Sequence, residues 1–256
     1  VMLIRAGVSP IATLPIAFLA GALAGMVTGL LNTVLGIPGI LASILTQISL
    51  YSINLNIMGK ANQPVSVDNY PLVISLRYVT DGSVSRLLFF LGMIVFLLAL
   101  IAVMYWYFGT EQGHAIRATG CNSNMARAQG INTNFIKVLA LMISNGLVGL
   151  CGAMYGQFQG ASDVNMGRGA IVIGLAAVII GEVLFGKFAS KRKLAFAFTL
   201  ASVILGAVIY YMVYQFVLWL KMPSEDMKLF SAIVVAIFLA IPYLKEKRTL
   251  RKGASK

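Results

Sequence analysis

The chain has 256 residues, of which 59% are hydrophobic and only 11% are charged. A soluble domain is nearer half apolar and a quarter charged, so this composition predicts an integral membrane protein. The net charge of +12 would suit nucleic-acid binding only if it formed a basic patch on a folded surface. The basic residues instead stand mainly at the ends of apolar runs, so we expect contact with membrane lipid and no nucleic-acid partner.

Apolar runs of about 20 residues, enough to cross roughly 30 Å of hydrocarbon, recur along the chain. They predict an all-α, polytopic membrane protein that forms a single transmembrane domain over residues 1–256. A break at 36–39 separates the first two runs, and a re-entrant turn is one interpretation of it. The chain opens without an initiator Met, so we expect at least one further helix before it. The seven segments are Ile11–Leu35, Ile37–Met58, Leu87–Phe108, Phe135–Phe158, Ala170–Phe185, Leu194–Trp219 and Leu229–Leu244.

A polar stretch, EQGHAIRATGCNSNMARAQGINTNFIK, occupies residues 111–137 between the third and fourth segments. HAIRAT and NMARAQ each predict a short helical turn, with Gly120 between them. Gly130 is expected to end the second turn, and Asn132 with Thr133 to cap the next membrane helix. Short exposed helices suit docking to another protein, although a solvated connector is the plainer alternative.

Lysines and arginines predict the orientation of the chain. Most of them fall in three places: residues 111–137, the run KFASKRK at 187–193, and the basic tail at 245–256. Loops rich in these residues remain in the cytoplasm. The sequence therefore predicts a multi-pass protein of the cell membrane with a cytoplasmic C-terminus.

Glycines recur at helical spacing in two segments. Small residues on one face let membrane helices approach closely, because the hydrophobic effect does not drive their association in lipid. We favour packing within the chain over a dimer interface. The predicted packing glycines are Gly21, Gly25, Gly29, Gly149, Gly152 and Gly156.

Neutral polar residues within the apolar segments are candidates for a translocation path. Such groups are costly in hydrocarbon and tend to face a bundle interior or a wet route. Hydrogen bonding between helices is the alternative for each. Glu182 is the only acid within an apolar run, and this disfavours a proton- or sodium-driven carrier. The four candidates are Asn32, Gln47, Asn145 and Gln157.

Residues for chemistry are scarce. His114 is the single histidine, and it has no neighbouring nucleophile motif. Cys121 and Cys151 show neither CxxC nor Cys/His ligand spacing, so no metal site is predicted. No glycine-rich loop with Lys-Ser/Thr is present, which predicts that the chain does not itself bind ATP in that way. We therefore predict no catalytic residue.

Several motifs resemble a known family. AIRATGxNxxMARAQGI at 115–131, followed by NTxxxK, is similar to the cytoplasmic coupling segment of ABC-importer permeases. The resemblance continues at 21–46 (GALAGMVTGLLNTVLGIPGILASILT), at 50–59 (LYSINLNIMG) and at 163–186 (DVNMGRGAIVIGLAAVIIGEVLFG). The group is that of branched-chain amino acid and ribose-type permeases, and the nearest match is to tryptophan/tyrosine-type ABC permeases.

The resemblance implies a type II-like permease for an amino acid or similar small solute. It implies a second permease copy, a cytoplasmic ATPase pair that binds ATP and Mg, and an extracytoplasmic solute-binding protein. A sugar or nucleoside is the alternative solute; a self-sufficient carrier or channel is the alternative class, and a membrane-embedded enzyme is a distant third. The residues implied to couple to the ATPase are Arg117, Ala118, Thr119, Gly120, Asn122, Met125, Ala126, Arg127 and Gly130.

Overall fold

The computed structural model describes residues 1–65, 72, 74–75, 83–167, 170–189, 195–219 and 236. They fall into two compact units, Val1–Gly167 and Arg168–Lys256. The second unit contains α8 (Ala170–Ala189) and α9 (Ala195–Trp219). The first contains α1 (Met2–Arg5), α2 (Pro10–Thr33), α3 (Gly39–Met58), β1 (Asn62–Pro64), α4 (Ser83–Phe108), α5 (Glu111–Cys121), α6 (Ser123–Ala128), α7 (Thr133–Gln159) and β2 (Ala161–Asp163).

The long helices confirm the all-α polytopic class. Among the described residues, α2, α3, α4, α7 and α9 are long and apolar enough to cross a membrane, and α8 contains a shorter apolar stretch, Ile173–Leu184. These helices coincide with the first six predicted segments to within a few residues. The seventh segment, 229–244, lies outside the described residues, so the count of seven stays a prediction.

Local sequence explains where several helices begin and end. The Ser9 hydroxyl accepts a hydrogen bond from the Ala12 amide at 3.4 Å, and Pro10 takes the first helical position, where its missing N–H removes no helical hydrogen bond. Gly59 ends α3 in the left-handed conformation with φ of +67°. The turn at 34–38 joins α2 to a continuous α3 of 20 residues. It is therefore a tight connection between two full-length helices rather than a re-entrant segment.

α2 and α7 pack antiparallel along a seam of glycines. A Cβ at Gly21 or Gly25 would collide with the backbone carbonyl of Asn145 or Leu141 on α7. One turn further along, a Cβ at Gly29 would lie 2.9 Å from the α7 backbone. Because backbone cannot move aside as a side chain can, only glycine permits this approach.

The α7 side of the seam differs from its sequence prediction. A Cβ at Gly149 would collide with a backbone carbonyl of α2, and one at Gly146, which was not predicted, would meet the Phe18 ring at 2.8 Å. A Cβ at Gly152 would meet nothing within 4 Å, and one at Gly156 would make ordinary contacts at 3.6 Å or more. Spacing alone therefore did not separate the glycines in the seam from those beside it.

A small structured cap lies at the end of the unit where α7 finishes. β1 pairs with β2 in antiparallel register, with Asn62 opposite Asp163. Arg5 of α1 donates a hydrogen bond to the side chain of Gln63. Strands of three residues are too short to give an alternating pattern, so the sequence did not predict them. The cap encloses a buried apolar cluster of Ile4, Val65 and Leu72.

The second unit repeats this mode of packing. A Cβ at Gly181 of α8 would collide with the backbone of Ser202 on α9, and a Cβ at Gly206 would collide with the backbone of Ala177. The order of these contacts makes the two helices antiparallel. Their apolar core comprises Ala176, Ile180 and Tyr210.

Candidate coupling segment and translocation path

The polar stretch forms two short helices, α5 and α6. The Thr110 hydroxyl caps α5 by accepting a hydrogen bond from the Gly113 amide at 3.4 Å, and donates one to the Tyr107 carbonyl at 2.6 Å. Gly113 lies so close to the last turn of α4 that a Cβ there would collide with the backbone of Phe108. The start of α5 is therefore fixed against the end of α4.

The boundary between the two helices was predicted at Gly120, and that position is wrong. Gly120 lies inside α5, and the break falls at Asn122. The Asn122 side chain accepts hydrogen bonds from the amides of Asn124 and Met125 at 3.1 and 3.0 Å. A side chain that satisfies the free amides of a new helix stabilises a helix start more effectively than a glycine does.

The predicted junction with the next membrane helix is correct in outline. Gly130 follows the end of α6 and adopts the left-handed conformation, with φ of +84°. Asn132 caps α7 by accepting a hydrogen bond from the Phe135 amide at 3.2 Å. Thr133 is the first residue of α7 instead of a cap, and its hydroxyl accepts a hydrogen bond from the Arg127 guanidinium at 3.0 Å. This bond ties α6 directly to the membrane helix that follows.

Burial divides the nine predicted coupling residues into two groups. Ala126 is 3% exposed and Thr119 is 7% exposed, so both lie on the side where the segment packs against its neighbours. The Thr119 hydroxyl is buried with no hydrogen-bond partner among the described residues. The other seven are exposed and accessible to a partner: Arg117, Ala118, Gly120, Asn122, Met125, Arg127 and Gly130.

The candidate coupling segment, the polar stretch at 111–137 that holds α5 and α6, lies at one end of α7, and the β1–β2 cap lies at the other. α7 has 27 residues, which separates its ends by about 40 Å at 1.5 Å per residue. α5 and α6 pack beside its first turns, whereas β2 follows its last residue. The turn at 34–38 lies at the coupling end, because Gly29 meets Val138. The loops of this unit thus alternate between two ends, as successive membrane crossings require.

The four predicted path residues do not converge. Gln157 is 2% exposed and donates hydrogen bonds to the Pro10 carbonyl at 3.0 Å and the Thr13 hydroxyl at 3.1 Å, which joins α7 to α2 at the cap end. Asn32 donates to the Ile37 carbonyl at 2.8 Å in the turn after α2.

The remaining two candidates, Asn145 and Gln47, lie in different environments. Asn145, near mid-depth, donates to the Leu141 carbonyl one turn back in α7, at 2.9 Å. Gln47 lies near the middle of α3 and is exposed. The structure therefore gives three of the four a hydrogen bond within the fold, and the path assignment stays a prediction.

Groups for catalysis or metal binding are sparse in the described part of the chain. No cluster of three or more His, Cys, Asp or Glu residues there could hold a metal ion. His114 Nδ1 lies 2.8 Å from the Thr110 carbonyl within α5. Cys121 and Cys151 are free and exposed. Glu182 is exposed on α8.

Membrane-length helices with a structured polar segment at one end define a multi-pass α-helical membrane protein. Comparison with known proteins makes the class specific. The chain belongs to the family described as "Branched-chain amino acid transport system / permease component", whose model matches residues 1–242. It is therefore the permease subunit of an ABC transport system, which works with an ATPase and a binding protein.

Individual relatives agree with this assignment. The chain is 39% identical over 234 residues to the "Tyrosine transport system permease protein" of Clostridioides difficile, with 91% of this chain and 74% of that protein covered. It is 27% identical over 226 residues to the "Autoinducer 2 import system permease protein LsrC" of Yersinia pseudotuberculosis, with 87% and 59% covered. No solved structure matches the chain.

Proposed function

We propose that the chain is the membrane subunit of an ATP-driven importer of an amino acid of the aromatic type. The relative named for tyrosine transport supports this, because it is more similar and more completely covered than the relative named for autoinducer 2. No Asp, Glu, Lys, Arg or His lies near the middle of α2, α3, α4 or α7, which suits a path that passes a solute whose charges cancel.

The observation that carries the mechanism is the coupling segment, a pair of polar helices fixed to two membrane helices. α5 packs on the end of α4, and α6 is tied to α7 through Arg127 and Thr133. A partner that displaces this segment would therefore move both membrane helices together. The nucleotide state of an ATPase could bias a bundle with two conformations in this way.

The proposed assembly has two copies of this chain and a cytoplasmic ATPase pair that binds ATP and Mg. The basic runs at 187–193 and 245–256 lie outside the residues whose side chains the structure describes, but their charge supports a cytoplasmic C-terminus. The coupling segment would then face the cytoplasm. The β1–β2 cap would face the solute-binding protein.

Gly120 offers a clean test of docking. It is exposed in α5, and a Cβ there would meet nothing within 4 Å. We expect Gly120→Trp to leave the permease folded but to reduce ATPase co-purification and ATP-dependent tyrosine uptake in proteoliposomes by about tenfold or more, as expected when a bulky side chain blocks a well-packed contact. Gly120→Ala is the matched control and should retain both, since alanine favours a helix.

Ala126 is unsuitable for the same test because it is buried, so a large residue there would disturb the segment itself. Unchanged ATPase binding and uptake in folded Gly120→Trp would contradict docking at this surface. Uptake by the permease alone, without ATPase or ATP, would instead support the self-sufficient carrier.

A further inference from the structure

Polar side chains form an exposed row along one side of α3. Gln47, Tyr51 and Asn54 follow one another at intervals of four and three residues, and all three are exposed. Ser43 extends the row by one turn toward the coupling end. Eleven residues separate Ser43 from Asn54, so the row is about 16 Å long, roughly half of a hydrocarbon core.

This row lies on a different side of α3 from the contact with α2. The buried residues Ala42 and Thr46 form that contact, in which the Thr28 hydroxyl donates a hydrogen bond to Thr46 at 2.9 Å. At 100° per residue, the row containing Gln47 is turned about a third of a circle from them. The packing of α3 on α2 therefore leaves the row uncovered.

The exposed faces of the neighbouring helices are different in kind. The exposed residues of α2 are all apolar, including Leu23 and Val27, and the exposed residues of α4 between 87 and 103 are apolar or glycine. Such faces suit lipid. Among these three helices, only α3 exposes side-chain amides in its middle turns.

The polar groups of the row differ in how they are satisfied. The Ser43 hydroxyl donates to the Gly39 carbonyl at 2.8 Å within α3. Among the described residues, none hydrogen-bonds the side chain of Gln47, Tyr51 or Asn54. An amide facing hydrocarbon at mid-depth is costly, so these groups need water or a solute.

We propose that the row of Gln47, Tyr51 and Asn54 lines the solute path, an inference that rests on the proposed function. Two amides and a phenol both donate and accept hydrogen bonds, and none carries a charge. They can replace part of the hydration of a small polar solute without holding it as tightly as an ion pair. A zwitterionic amino acid is a solute of this class, since a path must bind weakly enough to release what it carries.

α3 also provides a matched control. Asn56 is exposed and bears the same amide as Asn54. At 100° per residue it lies on the opposite side of the helix from Asn54, in the last turn of α3. We expect Asn54→Leu and Gln47→Leu to lower ATP-dependent tyrosine uptake about tenfold, through loss of a hydrogen bond to the passing solute. Asn56→Leu should change uptake less than about twofold. ATPase assembly should be unchanged in all three.

Water access gives an independent test on the assembled transporter. In a background with Cys121→Ser and Cys151→Ser, Gln47→Cys is compared with Val27→Cys. The two positions lie at the same depth, because Thr28 contacts Thr46, and Val27 belongs to the apolar face. A charged thiosulfonate reacts with ionised thiols in water, so we expect the cysteine at 47 to react at least about tenfold faster.

The outcomes separate the two proposals. Equal reaction at positions 47 and 27, or equal uptake by Asn54→Leu and Asn56→Leu, would overturn the path assignment and indicate that another protein surface or lipid covers the row. Failure of the unsubstituted complex to import tyrosine in the presence of ATP would overturn the proposed substrate instead. The labelling comparison would still show whether water reaches the row on α3.

Discussion

α2 and α3 are adjacent membrane-length helices whose polar side chains lie in opposite environments. The glycines and polar side chains of α2 turn inward: Gly21 and Gly25 admit the backbone of α7, and Thr13 accepts a hydrogen bond from Gln157. α3 is buried only at Ala42 and Thr46 and leaves Gln47 exposed. A polar residue in a membrane helix therefore has no fixed role, because its role depends on what covers it.

Filling the glycine seam on α2 should have the largest effect. Gly25→Leu would drive a side chain into the backbone of Leu141, which cannot move without separating the two helices. Overpacking costs about 1–3 kcal/mol where side chains can adjust and more where they cannot. We expect loss of the folded monodisperse fraction in detergent, measured by size-exclusion chromatography. Gly152→Ala, which enters open space on α7, is the control, and a folded Gly25→Leu protein would refute the seam.

Removing a buried amide should destabilise the fold more than removing an exposed one. Gln157→Leu would remove two buried hydrogen bonds, to the Pro10 carbonyl and to the Thr13 hydroxyl, and leave only the bond between those two groups. The free energy of unfolding should therefore fall by about 1–3 kcal/mol. Gln47→Leu should change it by less than about 0.5 kcal/mol, although it impairs uptake. Reversible unfolding in mixed detergent micelles measures both. Equal destabilisation would show that the two helices are not distinguished by burial.

The smallest expected effect concerns the single hydroxyl contact between α2 and α3. Thr28→Val removes its hydrogen bond to Thr46, and hydrogen bonds of this kind contribute only about 0.6 kcal/mol on average in membrane proteins. A double-mutant cycle with Thr46→Val should recover a coupling energy of this size. Ser43→Ala, on the exposed row of α3, should show no coupling to Thr28→Val.

Much of the fold was predictable because its signals are local. Hydropathy placed six helices to within a few residues, and Asn132 marked the start of α7 through its capping side chain. The helix break near Gly120 was misplaced by two residues, because a glycine signals only permissiveness whereas Asn122 actively satisfies free amides. The strands β1 and β2 carried no local signal, since each exists only through the other.

The candidate sites were less predictable for a reason that sequence spacing cannot remove. Gly149 and Gly152 are one turn apart, yet only Gly149 meets the backbone of α2. Asn145 and Gln47 looked equivalent as amides in apolar runs, yet one bonds within its own helix and the other is exposed. In each pair, the angular position of the residue around its helix axis determines what it contacts.

The amino-acid sequence alone identifies a multi-pass helical permease of an ABC transport system, because hydrophobic length and motif order are local properties of the chain. Which polar and glycine residues serve packing, and which remain exposed, depends on the fold. Lipid does not drive helices together by hydrophobicity, so the faces that join are set by backbone approach and hydrogen bonding between distant segments.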